Sequence, residues 1–194
     1  MTVLLLSAYP EKIIDTIKAT DFVLTTSEVI SLDFLQQEKV DFIVSYGYRH
    51  ILKEPIISVF KTRIVNLHIS YLPWNRGADP NFWAWYEGTP SGVSIHYIDE
   101  GIDTGPILMQ DQVEFPLGQT LASSYAILQK RLEELFFQNW AEIRSGSILA
   151  RAQSGKGTYH ARKDMREIIH KFPLGHATSV ETVMKMGEKK LLER

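Results

Sequence analysis

The chain has 194 residues, no Cys, and 21 Lys+Arg against 23 Asp+Glu, a formal charge of −2. That near-neutral balance excludes nucleic-acid binding driven by the charge of the whole molecule. The absence of Cys excludes thiol catalysis, Cys-ligated zinc, iron–sulfur clusters and disulfide scaffolds. With 44% hydrophobic and 23% charged residues, the chain reads as one globular domain with a small appendage, needing no disulfide or metal staple.

Met1–Ser7 is apolar but short, with no basic segment and no cleavage-like site, so it reads as a buried first strand and not as a signal peptide. No run reaches the roughly 18 apolar residues of a membrane span, and cytoplasm is the expected location. The spacing of Ile13, Ile14 and Ile17 predicts a helix over Glu11–Ala19, and Phe22–Leu24 a second strand. Ser31–Glu38 reads as a helix capped by Ser31 with Leu32 and Leu35 inward. Asp41–Ser45 is a further buried strand, Tyr46–His50 a loop around Gly47, Lys53–Phe60 a short helix and Arg63–His68 a fourth strand. Strands alternating with helices in this way predict an α/β fold, a Rossmann-like, mostly parallel sheet with helices on both faces.

From Ile69 to Gly92, Leu72-Pro73, Arg76-Gly77, Asp79-Pro80 and Gly88-Thr89-Pro90 are turn chemistry around a short aromatic helix, Asn81–Glu87. Gly92–Ile98 and Pro106–Glu114 follow as strands, joined by Asp99–Gly105. Thr120–Gly146 is a long helix, with Leu121, Tyr125, Leu128, Leu132, Leu135 and Phe136 at the helical period. After about residue 150 the composition shifts. Residues 151–194 carry a net charge of +5 and residues 1–150 a net of −7. The expected organisation is therefore a catalytic domain over 1–150 and a short basic extension over 151–194, packed on or near the core.

Asn66 and His68 lie two apart at the carboxyl end of a strand, where open α/β sheets bind ligands. Alone, Asn-x-His reads as a structural pair. The downstream run Asp99-Glu100-Gly101-Ile102-Asp103-Thr104-Gly105-Pro106 is a glycine-hinged acidic loop that can bring a carboxylate back to the imidazole. An Asn, a His and an Asp suit acyl transfer to an amine. Amide and imidazole N–H groups hold the oxyanion of a tetrahedral intermediate, each good donor lowering the barrier by ~3–4 kcal/mol. The imidazole handles the proton, and a carboxylate orients the ring. No Gly-x-Ser-x-Gly elbow and no His-Glu-x-x-His occurs, so covalent serine and metal chemistry are the weaker ideas and no metal is expected.

Three separated motifs carry a resemblance. They are Asn66-Leu67-His68-Ile69-Ser70-Tyr71-Leu72-Pro73-Trp74-Asn75-Arg76-Gly77, then Gly92-Val93-Ser94-Ile95-His96, then Asp99 to Leu108. Together, over residues 41–115, they resemble the 10-formyltetrahydrofolate-dependent formyltransferases. The resemblance implies the formyltransferase fold and 10-formyltetrahydrofolate as formyl donor. It puts Asn66, His68 and Asp103 on the catalytic positions. Gly47, Tyr48, Arg49, His50, Ile51 and Leu52 would hold one side of the pterin, and the backbone of Tyr97, Ile98, Asp99, Gly101 and Ile102, up to Asp103, the other. Arg76 and Gly77 would shape the active-site floor.

Ser7-Ala8-Tyr9-Pro10-Glu11-Lys12 stands where purine-pathway members carry a glycine-rich phosphate loop, which counts against glycinamide ribonucleotide as acceptor. About 45 residues after the long helix leave no room for the β-barrel of tRNA-directed members, and no N-terminal regulatory domain of the hydrolase kind is expected. The resemblance thus points to short enzymes that formylate nucleotide-linked amino sugars, often homodimers. Gly155 to Asp164 is similar to a stretch that follows their core. Alternatives are a glycinamide ribonucleotide or methionyl-tRNA formyltransferase, a 10-formyltetrahydrofolate hydrolase and a non-catalytic folate-binding module.

Several residues keep two readings. Trp74 could stack on the acceptor or pack, and Trp83, Trp85, Phe82 and Tyr86 read as core. His96 alternates with Val93 and Ile95 and reads as structural. Tyr159 and the run His160-Ala161-Arg162-Lys163 could bind pyrophosphate or form a solvated face. Asp99 and Glu100 could simply shape the turn, and Glu188–Arg194 reads as a solvated helix end.

Overall fold

The computed structural model describes residues 1–192. Of the solvated end expected at Glu188–Arg194, Glu193 and Arg194 lie outside the described residues. The elements in chain order are β1 (Thr2–Ser7), α1 (Ile14–Lys18), β2 (Phe22–Thr26), α2 (Leu32–Gln37), β3 (Phe42–Tyr46), α3 (Ile56–Phe60), β4 (Ile64–His68), β5 (Arg76–Gly77), α4 (Pro80–Glu87), β6 (Gly92–Tyr97), β7 (Ile107–Gln112), α5 (Leu121–Ser145), β8 (Tyr159–His160), α6 (Arg162–Ile168) and α7 (Val180–Leu192). Six strands form a central sheet in the order β2-β1-β3-β4-β6-β7, flanked by helices, as the alternating pattern predicts. Pairings β1–β2, β1–β3 and β3–β4 are parallel. The Ile98 N–H donates to the Ile64 carbonyl (3.1 Å), while His96 lies beside Asn66 (3.3 Å), so β6 runs against β4.

Contacts divide the chain into two compact units. The first comprises Met1–His68, Ile95–Met109 and Leu132–Gln153, and the second Ile69–Ser94, Gln110–Arg131 and the segment from Ser154 onward. In the first, Val3 to Leu6 are wholly buried, which is why β1 reads as an unbroken apolar run: a parallel sheet is covered on both faces. Leu4 and Leu6 pack with Leu35, Val40, Ile43, Ile56, Phe60 and Ile64. Phe42 meets the Trp140 ring edge-on at 5.7 Å.

Two helices are shorter than their periodicity implies. Pro10 opens a tight 3₁₀ turn at Pro10–Lys12, and α1 starts only at Ile14, with Ile13 and Ile17 buried. Pro55 precedes α3, and the residue before a proline is pushed out of the helical region, so α3 starts at Ile56 and not at Lys53. The Ser31 cap forms as expected, its hydroxyl accepting from the Phe34 N–H at 3.1 Å.

The second unit is built on aromatic packing. Phe82, Trp83, Tyr86, Leu121, Phe172 and Val183 form its core. At Gly187 of α7 a Cβ would stand 1.7 Å from the Tyr86 carbonyl oxygen, so only glycine lets α7 lie this close to α4. The short pair β5–β8 and the helix α6 have no counterpart in the elements read from the sequence, and of α7 only the end, from Glu188, was read.

Asp21 ties the first unit together. Its carboxylate accepts from Arg144 Nε (2.6 Å) and Nη2 (2.8 Å) and from the Met1 amine (2.9 Å). Burial alone would push this carboxyl up. The hydrogen bonds from Arg144, Thr20 and the Met1 amine outweigh it and hold the group well below the usual carboxylate range. A depressed folded-state value contributes stability that is complete above the unfolded value, ~3.9, and fades as pH falls through the folded one. Asp21→Asn is expected to cost about 1–3 kcal/mol at pH 7, less than a fully buried pair because Arg144 keeps 33% of its side chain exposed. In urea melts the gap from wild type should narrow below about pH 4. A gap that does not change with pH would show that the ion pair is not its source.

Candidate active site

The parallel strands end together at one edge of the sheet. Ser7 of β1 pairs with Tyr46 of β3, and Tyr46 with Leu67 of β4. The chain leaving β3 at Gly47 therefore starts beside the end of β4, where His68 stands. Because β4 residues alternate between faces, Asn66 and His68 point the same way. The antiparallel β6 brings His96 to Asn66 from the next strand, and the loop after β6 returns Asp103 to both.

The result is a cluster of four side chains within the first unit. Asn66 Nδ2 donates to Asp103 Oδ1 at 3.1 Å and lies 3.3 Å from His96 Nε2. Asp103 Oδ2 is 3.7 Å from His68 Nε2, and Oδ1 is 3.5 Å from His96 Nε2. The two imidazoles stand nearly perpendicular, 6.2 Å between centroids. All four groups are shielded, with the Asp103 side chain 13% exposed. A carboxylate this far from water needs donors, and the Asn66 amide supplies one. The structure therefore brings together Asn66, His68 and Asp103, which the sequence picks out.

His96 adds something the sequence reading did not contain. It is buried, as a structural imidazole should be, yet it touches both Asn66 and Asp103. Its Nδ1 lies 2.7 Å from the Tyr97 carbonyl, which can only accept, so Nδ1 carries the hydrogen and Nε2 is left to accept from Asn66. Both hydrogens of the Asn66 amide are thus directed, one to Asp103 and one to His96. The signal was the alternation of Ser94 and His96 on β6, which matches that of Asn66 and His68 on β4.

The loop from Tyr97 to Pro106 is closed tightly. Asp99 Oδ1 accepts from the Gly101 N–H (3.1 Å) and the Thr104 hydroxyl (2.6 Å), so its side chain does the turn-shaping considered for it. At Gly105 a Cβ would sit 1.9 Å from the Tyr97 carbonyl oxygen, so no other residue lets the loop fold back onto β6. Asp103 itself has φ 53°, the left-handed region. Tyr97 is buried, and burial pushes its phenol above the ordinary tyrosine range.

A cleft of about 590 Å³ runs between this loop and α3, lined by Tyr97, Ile98, Asp99, Glu100, Gly101 and Pro106 on one side and Glu54, Ile57, Ser58, Lys61 and Thr62 on the other. It takes in Tyr97, Ile98, Asp99 and Gly101 of the expected donor-binding backbone. Gly47–Leu52 do not line it, and neither does Ile102, which is 39% exposed. Tyr48 donates its hydroxyl to the Glu28 carbonyl at 2.7 Å, its ring edge meets His50 at 5.2 Å, Leu52 is partly buried, and Arg49, His50 and Ile51 are exposed. Among the described residues no cluster of three or more His, Asp or Glu side chains could hold a metal ion.

In the second unit, Arg76 pairs with Tyr159 and Gly77 with His160 in a two-stranded parallel sheet, so three residues expected at the acceptor, Arg76, Gly77 and Tyr159, are neighbours. Tyr159 is 51% exposed. The fourth, Trp74, precedes this pair, and its carbonyl accepts from the Ser70 hydroxyl at 2.7 Å. The His160 ring lies flat on Trp83, 3.9 Å between centroids, and its Nε2 is 3.2 Å from Glu87 Oε2. Phe82, Trp83 and Tyr86 are buried in the core, the packing reading.

Residues 9–138 match the family model described as formyl transferase. The chain belongs to the formyl transferase family. Among solved structures, this formyl transferase is similar to PseJ from Anoxybacillus kamchatkensis, in complex with UDP-4,6-dideoxy-4-formamido-L-AltNAc and tetrahydrofolate. The two are 39% identical with a TM-score of 0.91, over 96% of this chain and 100% of that one. It is 28% identical over 186 residues to the methionyl-tRNA formyltransferase of Clostridium acetobutylicum, covering 86% of this chain and 60% of that protein. It is 30% identical over 131 residues to the dTDP-4-amino-4,6-dideoxyglucose formyltransferase of Mycobacterium tuberculosis, covering 68% of this chain and 55% of that protein. The chain thus spans little more than half the length of these curated relatives.

The hydrogen-bond pattern of His96 is directly testable. Nitrogen-resolved NMR of the imidazoles should show His96 protonated at Nδ1 with Nε2 as acceptor, and Asn66→Ala should shift the Nε2 resonance. A ring protonated at Nε2 would contradict the arrangement.

Proposed function

We propose that this chain transfers a formyl group from 10-formyltetrahydrofolate to a primary amine, the amino group of a nucleotide-linked sugar. The observation that carries the reading is the Asn66/His68/Asp103 cluster at the carboxyl end of the sheet, with contacts of 3.1 Å and 3.7 Å. It occurs in a chain that shares its fold, at 39% identity, with a formyltransferase in complex with a nucleotide-linked formamido sugar and tetrahydrofolate.

The chemistry follows from what each group can do. The acceptor amine attacks the formyl carbon, a C–N bond forms and the carbonyl oxygen becomes an oxyanion. His68 is an N–H donor to that oxygen, and Asn66 is a second once one of its amide hydrogens turns from Asp103 or His96. His68 takes the proton the amine loses and passes it to the folate nitrogen as the bond from that nitrogen to the formyl carbon breaks. Asp103 favours the imidazolium form of His68 and fixes its ring. The 3.7 Å separation is longer than a hydrogen bond, as catalytic contacts often are before substrate closes the site.

Donor binding is assigned to Gly47–Leu52 and the Tyr97–Asp103 backbone, and the acceptor to Trp74, Arg76, Gly77 and Tyr159. In this reading residues 1–150 form the catalytic domain and residues 151–194 a short extension packed on or near the core. The same reading makes the enzyme a cytoplasmic homodimer, which light scattering tests for assembly. Among the described residues no helix is long and apolar enough to cross a membrane.

Incubation with 10-formyltetrahydrofolate and a panel of nucleotide-linked amino sugars should release tetrahydrofolate in step with a formamido product. His68→Ala and Asp103→Ala should each lower turnover by about a hundredfold or more. Normal turnover by either variant would overturn its role. Formate release without any amine present would turn the reading toward hydrolysis.

A further inference from the structure

Asp103 is held from behind by a residue that follows α5. Gln153 Nε2 donates to the carbonyl oxygens of Asp103 (2.8 Å) and Gly105 (2.8 Å), using both hydrogens of one amide nitrogen. Turned over, the amide would aim its own oxygen at two carbonyl oxygens, so the orientation is fixed by repulsion as well as by bonding. The segment before it is anchored: Ile107 N–H donates to the Arg151 carbonyl (2.8 Å) and Arg151 N–H to the Ile107 carbonyl (2.9 Å). Gln153 therefore reaches the loop from a backbone already pinned to β7.

What it bridges is strained. Asp103 has φ 53°, where an L-residue other than glycine persists only if its surroundings impose it, at a cost of about 1–3 kcal/mol. Thr104 lies between the two bridged carbonyls, and its own hydroxyl is tied to Asp99 (2.6 Å). Relaxing Asp103 to an ordinary φ would rotate its carboxylate away from Asn66 and His68 and move the carbonyl that Gln153 holds.

We propose that Gln153 is a positioning residue for the formyl transfer read above: its bridge across Thr104 keeps Asp103 in the left-handed conformation that aims the carboxylate at His68 and Asn66. The proposal rests on that reading of the reaction. It makes residue 153 part of the catalytic apparatus through Asp103, without contact with donor or acceptor.

Gln153→Met keeps the length of the side chain and removes both hydrogen bonds. It should lower kcat about tenfold to a hundredfold, with KM for donor and acceptor each within about twofold of wild type and the fold retained by circular dichroism. Gln153→Glu, which sets a carboxylate against the two carbonyls, should lose more. In an Asp103→Ala background Gln153→Met should cause no further loss, because it acts through that carboxylate. Unchanged kcat in folded Gln153→Met overturns the proposal, and so do losses that multiply in the double variant. Should Gln153→Met fail to fold, Gln153→Asn, which keeps the amide but falls one methylene short, is read by the same criteria. A wild-type protein inactive on every amine counts against the reaction; an active wild type with an equally active Gln153→Met counts against Gln153 alone.

Discussion

One shielded carboxylate governs the arrangement of the candidate site. An ionised Asp103 with little water around it is costly unless protein groups replace that water. Asn66 donates to it at 3.1 Å, and the His68 Nε2 stands 3.7 Å away. Three elements place the four groups of the cluster. β4 offers Asn66 and His68 on one face, antiparallel β6 brings His96 across, and a loop that can turn back only at Gly105 carries Asp103.

That arrangement bears on how the proposed reaction would run. An oxyanion developing beside Asn66 meets an amide whose two hydrogens are directed to Asp103 and His96. A carboxylate and an oxyanion sharing one amide would repel each other across a few ångströms, where the local dielectric is low. The conflict is relieved if a positive charge stands between them. His68 is the group able to supply one, by taking the proton from the attacking amine. The same proton transfer then serves the nucleophile, the oxyanion and the carboxylate at once, a reason for the site to hold His68 next to Asp103 and not next to a neutral group.

Much of this was legible in the residues. Unbroken apolar runs at Val3–Leu6 and Phe42–Val44 mark strands buried on both faces, and the alternation of strand and helix marks a parallel sheet. Asn66 and His68 could be singled out by their spacing at a strand end, whereas Asp103 was chosen among the three acids of its loop only through the resemblance to the formyltransferases. What could not be read depends on contacts between distant segments. His96 sits on a strand whose alternation looks like ordinary core, and its ring nitrogens matter only because β6 runs against β4. Gln153 carries no motif, since an isolated glutamine near the end of a long helix has no local pattern to mark it. β5 and β8 are two residues each, too short for any periodicity, and exist only because Arg76-Gly77 and Tyr159-His160 meet. The ends of α1 and α3 were misplaced where Pro10 and Pro55 override the apolar spacing.

The uneven distribution of charge is compatible with the proposed chemistry. Residues 1–150, which hold the carboxylate cluster, carry −7, and residues 151–194 carry +5. A nucleotide-linked sugar brings a pyrophosphate with negative charge of its own. Placed near Asp103, that charge would raise the cost of forming an oxyanion in the same field. Guanidinium and ammonium groups away from the reacting carbon would neutralise it without competing for the proton on His68. Arg162 and Lys163 are exposed at the start of α6, directly after the Tyr159–His160 strand that pairs with Arg76-Gly77. In the proposed reaction Asp103 would orient a proton and these cations would receive a phosphate.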